Sequence, residues 1–346
     1  MRVLILGGTG TISTAITAQL LAHGGTEVWH YNRGTGDVPE GVTTMIGDRR
    51  NIAAFERQME EAGYFDCVID MIGFTPDEAE SAIRAFKGRA GQYVFCSTVD
   101  VYSKQADSYP INEGHSRHPL VSFPYAYHKA AYENRLFEAH DDSDFPVTIL
   151  RPAQTYGGEA SAVPSIGNPF YQMRRLREGR RIIVHGDGTS IWSACHRNDV
   201  ARAFANAVGN PAAIGKAYNV TGEEWMTFDR YWHCVARALG APEPRIEHIP
   251  TDLLARMLPN EASWCAENFR YNNLFDNGEA KRELGFRYTI GWEDGIRQVI
   301  GDLDRKGLIE RSEELPYYDA VLASWDRYAA MMVNEINRFD IVDSGA

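Results

Sequence analysis

The sequence predicts an α/β fold in which helices cover both faces of a doubly wound parallel sheet, followed by a smaller C-terminal region. Three observations carry this prediction. In the first half of the chain, short apolar runs alternate with helical patterns, and this order requires crossover connections and therefore parallel strands. A glycine cluster at 7–10 directly follows the first apolar run. After Pro152 the alternation gives way to loops rich in glycine and proline.

The elements follow from the spacing of their apolar residues. Short apolar runs predict strands at 3–6, 27–31, 67–72, 92–97, 147–151, 182–185 and 218–221. Apolar residues at helical spacing predict helices at 14–23, 52–62, 76–86, 127–139, 170–178, 198–208, 228–239 and 315–339. A third strand is expected just before Gly47.

Composition and charge exclude several classes of protein. A net charge of −12 leaves no basic field for a phosphate backbone, so nucleic acid is not expected as a partner. No apolar run approaches the roughly 18 residues of a membrane span, and the first run is too short for a signal peptide. The five cysteines are scattered without a C-x-x-C pair, which indicates reduced thiols and a cytoplasmic location.

The segment Gly7-Gly8-Thr9-Gly10-Thr11-Ile12-Ser13 follows the first strand and opens the first helix. In that position a G-x-x-G-x-x-G turn places a pyrophosphate on free helix N–H groups. Ser13 stands where the last glycine is usual and is small enough to keep helix and strand close. We predict that Gly7, Gly10, Thr11 and Ile12 bind a dinucleotide; the alternative is a glycine turn that binds nothing.

The choice between NAD and NADP depends on the end of the second strand. NAD enzymes usually carry Asp or Glu there for the ribose hydroxyls, whereas this chain has Asn32 and Arg33. Arg33 could pair with a 2′-phosphate, which favours NADP, although Asn32 can also bind a free ribose. Asp48, with Arg49 beside it, follows the third strand and is predicted to contact the adenine; the alternative is that Asp48 caps the next helix.

Tyr125 and Lys129 are the predicted catalytic pair. They lie four residues apart and therefore share one helical face. A phenol with a pKa near ~10 is a poor base at neutral pH, but a nearby ammonium and an oxidised nicotinamide favour the phenolate. Thr98, at the end of the preceding strand, would hold the substrate hydroxyl. Tyr127 and His128 have no lysine four residues on and are predicted to be packing and surface residues.

Together these motifs resemble the extended short-chain dehydrogenase/reductases of the NAD-dependent epimerase/dehydratase family, which have a Rossmann fold. The resemblance covers residues 1–291 and rests on GGTGTIS, GDRR, YVFCSTVDVY, YAYHK, LRPAQTYG, HGDG, HRNDVARAF and ELGF. It implies that Thr98, Tyr125 and Lys129 are catalytic, with Lys129 also at the cofactor. NRG and GDRR are similar to the branch with the chloroplast stem-loop-binding proteins and their bacterial relatives.

The predicted domains follow from this resemblance and from the change after Pro152. We assign 1–165 to a dinucleotide-binding Rossmann domain, to which 182–221 returns. A substrate-binding region comprises 166–181 and 222–300, and a helical extension fills 301–346. The extension suits either a dimer interface or a lid, and the resemblance implies a homodimer through the two helices that flank Tyr125.

Two departures from the family pattern bear on the substrate. The family's dehydratases place two acids after the Thr, whereas Val99-Asp100 supplies one. Nucleotide-sugar epimerases carry an arginine where this chain has Trp192, and a buried diphosphate without a cation would be costly. Asp100, Trp192 and His196 are predicted to contact substrate, although Trp192 is also compatible with a place in the core.

Two clusters outside this set remain ambiguous in the sequence. His115 and His118 have a spacing compatible with metal ligands, but they are interpreted as loop residues and no metal is predicted. Five arginines could bind a phosphate or carboxylate, or form a solvated helix face; they are Arg174, Arg175, Arg177, Arg180 and Arg181.

The function predicted from the sequence is NAD(P)-dependent oxidation or reduction of a secondary alcohol on a sugar-like small molecule. It proceeds either as net oxidoreduction or as a step in epimerisation, since both use the same residues. The alternative is a cofactor-binding module with an RNA- or protein-binding role and no turnover.

Overall fold

The computed structural model describes residues 1–143 and 145–339. Within them, seven strands form a parallel sheet with the order β3-β2-β1-β4-β5-β6-β11. These strands are β1 (Arg2–Leu6), β2 (Glu27–Asn32), β3 (Val42–Ile46), β4 (Cys67–Asp70), β5 (Tyr93–Cys96), β6 (Val147–Pro152) and β11 (Lys216–Val220). The chain adds β2 and β3 on one side of β1 and then crosses to β4 on the other side, which is where doubly wound sheets open a ligand cleft. The predicted fold class is therefore confirmed.

Helices cover the sheet on both faces because its central strands bury apolar residues on both sides. In β1, Val3 and Ile5 pack into one core and Leu4 and Leu6 into the other. The helices of this domain are α1 (Thr11–His23), α2 (Ile52–Ala62), α3 (Pro76–Phe86), α4 (Pro124–Ser143) and α6 (Arg197–Ala207). Alternating side chains that are all buried are typical of a parallel sheet with both faces covered.

The second region packs around its own core of aromatic residues. Paired short strands form its small sheets: β7 (Gln154–Tyr156) with β10 (Ala194–His196), β8 (Ile182–His185) with β13 (Ile246–Ile249), and β9 (Ile191–Trp192) with β12 (Met226–Thr227). The helices are α5 (Pro169–Arg177), α7 (Phe228–Leu239), α8 (Thr251–Met257), α9 (Gly278–Leu284), α10 (Trp292–Arg305) and α11 (Pro316–Ile336), with a π-helical turn at Cys265–Phe269. The apolar faces of α5, α7 and α10 meet around Trp232 and Trp292. Helices α8 and α11 pack together in a separate cluster, and α9 packs against the core of the sheet domain.

The boundary between the regions differs in part from the predicted one. Of the segment 182–221, β11 joins the main sheet and α6 packs against α1, but β8 pairs with β13 in the second region. The physical reason is that a short apolar run such as β8 can pair with any neighbouring strand, so its sequence does not determine which sheet it joins. In the extension, α11 ends at Ile336, and the predicted range 340–346 lies outside the described residues.

The cysteines and helices bear on two sequence predictions. All five cysteines are free and buried, as expected of reduced thiols. None of the described helices is long and apolar enough to cross a lipid bilayer.

Candidate active site

The predicted phosphate turn joins β1 to α1 in a tight loop. Gly7 has φ +84°, and a Cβ there would lie 2.4 Å from the Cγ2 of Ile72, so only glycine fits. The Oγ of Ser13 donates to the Gly7 carbonyl at 2.6 Å and closes the turn. Gly10 is the N-cap, and within the described chain no side chain caps α1. The first-turn amides, which lack intrahelical acceptors, are therefore available to an anion.

Beside this turn lies a cavity of about 400 Å³, which we call the cofactor cavity. Asn32 is buried in its wall and accepts a hydrogen bond from the Gly34 amide through Oδ1 at 2.9 Å. Its Nδ2 has no partner among the residues that the structure describes. Arg33 is exposed at the cavity wall. Six residues predicted to bind cofactor line this space: Gly7, Gly10, Asn32, Arg33, Asp48 and Arg49.

Asp48 lies in the cofactor cavity but does not cap a helix. Its carboxylate accepts hydrogen bonds from Arg50, with Oδ2 2.5 Å from Nη2, and these bonds lower the pKa of Asp48 to about 2. Asn51 caps α2 instead, since its side chain accepts from the Ala54 amide. The capping alternative for Asp48 is therefore wrong, while its contact with adenine stays a prediction.

Arg49 lines the cofactor cavity, but its guanidinium points into the protein. Its Nη1 lies 2.7 and 2.6 Å from the two oxygens of Asp70, and both side chains are buried. Tyr93 and Tyr132 also donate to Asp70, at 2.5 and 2.9 Å. Burial opposes ionisation of Asp70, but Arg49 holds the pKa of its carboxyl below the usual value. The pair joins the loop after β3 to the end of β4, under the cofactor cavity.

Helix α4 carries Tyr125 in its first turn and Lys129 one turn later. A buried ion pair holds this helix against the sheet, because Glu133 accepts from Nε and Nη2 of Arg151 at 2.9 and 2.7 Å. Lys129 is 2% exposed, and its Nζ donates to the Cys96 carbonyl at 2.8 Å. Burial lowers the pKa of this ammonium. The ring of Phe74, which lines the cofactor cavity, lies 4.5 Å from Nζ.

Thr98, Asp100 and Tyr125 meet in the wall of a second cavity of about 500 Å³, the substrate cavity. Tyr125 is 36% exposed, but its hydroxyl end is buried. Burial and the Asp100 carboxylate raise the pKa of this phenol, and a hydrogen bond with Thr98 opposes the shift. Thr98 donates from Oγ1 to Oδ2 of Asp100 at 3.1 Å. Ile12 of the phosphate turn lines the same cavity, so the turn and the predicted catalytic residues share one space.

The rest of the substrate cavity is aromatic and acidic. Trp192 lies in its wall and donates from Nε1 to Oε1 of Gln154 at 2.6 Å. Trp264 lies against the Tyr125 ring, with the centroids 5.6 Å apart. Asp100 and Glu261 contribute carboxylates, whereas none of the described residues that line the cavity is Lys, Arg or His. The described lining therefore offers no cation to an anionic substrate, and the nearby Lys104 is already paired with Asp100.

His196 is a correction to the predicted substrate residues. Its side chain caps α6, where Nδ1 accepts from the Asn198 amide at 3.2 Å. Its ring packs on Tyr156, with 5.3 Å between the centroids. His196 is absent from the described lining of the substrate cavity. A histidine that caps a helix on this side of β10 cannot also turn toward the substrate.

The two ambiguous clusters are structural in their contacts. His115 contacts Ser108 and Asn112, and His118 contacts Ser116. The described part of the chain contains no group of three His, Cys, Asp or Glu side chains that could hold a metal. The five arginines pair instead with acids, mostly in the C-terminal helices: Asp304, Glu310, Glu314, Asp319 and Asp326. This cluster therefore fastens the extension to α5.

Sequence reasoning missed Arg197, which lies beside the phosphate turn. It lines a cavity of about 490 Å³ together with Gly10 and Thr11. Its side chain crosses Gly157 and Gly158, where added Cβ atoms would lie 2.7 Å from its Cγ and Nη1. The Nε atom is buried and has no hydrogen-bond partner in the part of the chain that the structure describes. The signal in the sequence was the pair Gly157-Gly158 directly after β7, because two adjacent glycines indicate a close approach by another group.

It also missed Glu261, Trp264 and Asn268, which line the substrate cavity from the π-helical turn and the residues before it. The segment is tied to the entrance of α4, because Ser122 donates to Glu267 at 3.1 Å. Its sequence carries no motif that predicts these contacts.

Comparison with known proteins identifies relatives that share this geometry. Residues 3–221 match the NAD dependent epimerase/dehydratase family. The chain is 30% identical to the chloroplast stem-loop binding protein of 41 kDa b from Arabidopsis thaliana, across 93% of this chain and 84% of that protein. It is 24% identical to UDP-glucose 4-epimerase from Mycolicibacterium smegmatis, across 87% and 97% of the two chains.

Solved structures show the same fold. The epimerase Mth375 from Methanothermobacter thermautotrophicus has a TM-score of 0.73 at 18% identity, with 91% of this chain and 95% of that chain covered. UDP-glucose 4-epimerase from Thermus thermophilus, solved with NAD, has a TM-score of 0.69 at 23% identity, with 88% and 99% covered. With the matched region spanning most of the sheet domain, the chain belongs to the NAD dependent epimerase/dehydratase family.

Proposed function

We propose that this protein transfers a hydride between a secondary alcohol of an uncharged, sugar-like substrate and NAD(P), with Tyr125 as general acid and base. One observation carries the proposal: Tyr125, Thr98 and Asp100 line a single cavity that reaches Ile12 of the phosphate turn. Substrate and cofactor would then meet at the carboxyl ends of the strands, where doubly wound folds bind their ligands.

The cofactor cavity fits a dinucleotide. The uncapped start of α1 and the glycines of the turn suit a pyrophosphate, and the unpartnered Nδ2 of Asn32 suits a ribose or phosphate oxygen. Arg197 would approach the pyrophosphate from the opposite side of the turn. When bound, the nicotinamide accepts or donates the hydride. Arg33 directly follows β2, at the position where NAD enzymes usually carry a carboxylate that would repel a 2′-phosphate. Because an arginine there can instead bind this phosphate, we favour NADP.

The proton step belongs to the chain's own residues. The raised pKa keeps the Tyr125 phenol protonated at neutral pH, so in the direction of reduction it can donate to a carbonyl oxygen. In the direction of oxidation Tyr125 must accept the hydroxyl proton, and Thr98 favours the phenolate this requires. Lys129 lies one helical turn away, with its Nζ held by the Cys96 carbonyl. Thr98 would orient the reacting oxygen. Asp100 now holds the Thr98 hydroxyl, which must rotate to reach a substrate.

The substrate cavity favours an uncharged ligand. Several relatives are named for nucleotide-sugar reactions, among them UDP-glucose 4-epimerase. Here Trp192 lies where an arginine would face a diphosphate, and the described lining offers carboxylates and no cation. We therefore propose a sugar or polyol without a diphosphate. Epimerisation and net oxidoreduction use the same residues; cofactor that stays bound through purification would favour the former.

The test is turnover of a panel of neutral sugars and polyols with NADP+ or NAD+, with UDP-glucose for comparison. Net oxidation is followed by the absorbance of the reduced nicotinamide, and epimerisation by NMR of the recovered sugar. We expect turnover of a neutral member. Tyr125→Phe should lower kcat by about 10²–10⁴-fold while cofactor affinity is kept, since only the proton step is removed. Turnover by Tyr125→Phe at the wild-type rate would contradict the assigned role.

RNA binding is the second candidate, because the relative at 30% identity is named a stem-loop binding protein. A chain of net charge −12 is a poor ligand for a phosphate backbone. Filter binding with a structured RNA at low and moderate salt distinguishes the two. Tight, salt-dependent binding with no turnover of any panel member would favour the RNA role.

A further inference from the structure

Asn268 contributes an unusual group to the substrate cavity. It belongs to the π-helical turn Cys265–Phe269. Such turns are rare in proteins, and those that occur are often found at functional sites. Cys265 and Phe269 pack into the core of the second region, and Asn268 and Phe269 both line the cavity. Its side chain is nearly inaccessible, since the residue is 1% exposed.

The orientation of the Asn268 amide follows from its neighbour. The Nδ2 donates to Oδ1 of Asp100 at 2.9 Å. A carboxylate can only accept hydrogen bonds, so the nitrogen must face Asp100; the opposite orientation would bring two acceptors together. Lys104, buried beside them, lies 3.7 Å from the same oxygen and forms an ion pair with it. The Oδ1 atom of Asn268 is thereby directed away from Asp100.

This Oδ1 atom has no hydrogen-bond partner among residues 1–143 and 145–339, although it is buried. A buried carbonyl oxygen without a donor is unfavourable, and such groups are uncommon in folded proteins. Because Nδ2 is committed to Asp100, Oδ1 is the atom of this amide that remains for a ligand, and it can only accept. A ligand that meets it favourably must bring an O–H or N–H group.

Asn268 is also linked to the reacting end of the cavity. Asp100 accepts from Asn268 through Oδ1 and from Thr98 through Oδ2, at 2.9 and 3.1 Å. One carboxylate therefore holds both side chains and keeps Asn268 close to Thr98. A substrate oriented by Thr98 would present a neighbouring group to Asn268.

We propose that Asn268 determines specificity by accepting a hydrogen bond from a second hydroxyl of the substrate, close to the carbon that Tyr125 and Thr98 act on. The inference rests on the proposed hydride transfer and narrows its substrate to a vicinal or near-vicinal diol. Carboxylate, phosphate or methoxy groups at that position are rejected, because Asn268, Asp100 and Glu261 present only acceptors there.

The experiment combines substrate analogues with a side-chain variant. The panel sugar that wild type converts fastest is measured beside its monodeoxy analogues, with wild type and Asn268→Ala. We expect Asn268→Ala to raise KM for the parent sugar about 10- to 100-fold with a smaller change in kcat, because one substrate hydrogen bond is lost. One monodeoxy analogue should be a poor substrate for wild type, yet Asn268→Ala should convert it as well as it converts the parent.

Controls separate this inference from folding and from the proposed function. Asn272→Ala removes an exposed amide that is not among the described lining of the cavity, and its kinetics should match wild type. Asn268→Ser replaces the alanine variant if thermal melting shows that the latter is unfolded. Parent and analogues converted alike by wild type and both Asn268 variants would overturn the inference alone. No conversion of any panel member by wild type would overturn the proposed function, and the inference with it.

Discussion

The two cavities on either side of the phosphate turn have opposite electrostatics. Arg33, Arg49 and Arg50 line the cofactor cavity, where their neighbours are Asp48 and Glu78. The substrate cavity has the carboxylates of Asp100 and Glu261 and, in its described lining, no basic side chain. The arginines near the turn therefore lie outside the substrate cavity, with Arg33, Arg49 and Arg50 in the cofactor cavity and Arg197 in the cavity beside Gly10 and Thr11. This difference explains how a member of a family with nucleotide-sugar enzymes could act on an uncharged substrate.

The groups buried beneath the two cavities differ in the same way. Under the cofactor cavity, Arg49 and Asp70 form a charged pair. Beside the substrate cavity, His185 is buried against Phe228 and Phe269 and contacts Ser165 at 2.8 Å. Burial lowers the pKa of His185 to about 4, so it is neutral at physiological pH. The cofactor cavity thus has a charged pair beneath it, whereas the substrate cavity has both the pair of Lys104 with Asp100 and this uncharged ring beside it.

Removing one member of the charged pair should have the largest effect on stability. Asp70→Asn leaves the Arg49 guanidinium buried without a counter-ion, and we expect a loss of about 3–5 kcal/mol in the free energy of unfolding. Urea denaturation measures it. Asp48→Asn, which breaks the exposed pair with Arg50 in the same cavity, is the matched control and should change stability little. Equal losses in the two variants would contradict the comparison.

Acid should destabilise the substrate side through His185. Because its pKa is 6.5 unfolded and about 4 folded, the unfolded chain binds more protons between these values. Stability from this group is complete above pH 6.5 and falls as pH drops toward 4, by about 3 kcal/mol from the shift of the pKa. The His185→Gln variant should lose that part of the pH dependence in urea melts from pH 7 to 4, relative to wild type.

The exposed His118 provides the control for this measurement. His30 and His196 also have pKa values lowered by burial, but they are present in both proteins, so the difference isolates His185. If His118→Gln changed the pH dependence of the unfolding free energy as much as His185→Gln does, the His185 ring would not be a neutral buried group.

Arg33→Gln should have the smallest effect, confined to cofactor choice. We expect affinity for NADPH to fall about tenfold and affinity for NADH to stay unchanged, since only the 2′-phosphate contact is lost. Calorimetric titration at two salt concentrations measures both. Arg50→Gln, whose guanidinium is already bound to Asp48, is the matched control. If the affinities for NADPH and NADH fell equally, Arg33 would act on both cofactors through its charge and would not recognise the 2′-phosphate.

The regularity of the sheet domain made its prediction possible. Strand β1 carries apolar residues on both of its faces, which indicates a buried parallel strand, and the glycine turn follows it directly. The fold and the phosphate turn could therefore be predicted from neighbouring residues. Tyr125 and Lys129 share a face because a helix sets their spacing. The short strands of the second region were harder to predict. Strands β9 and β12 contain two residues each, and their pairing depends on loops that bring distant segments together.

The amino-acid sequence by itself determined the doubly wound fold, the family, and the places of Thr98 and Tyr125 along the chain, because each depends on local periodicity or on a contiguous motif. The tertiary structure decided that Arg49 turns to Asp70, that His196 caps α6, and that the arginines of α5 hold the C-terminal helices. It also brought Asn268 to Asp100, 168 positions away. Side-chain partners of this kind follow from how the folded segments pack on one another, and the periodicity of the sequence does not encode that packing.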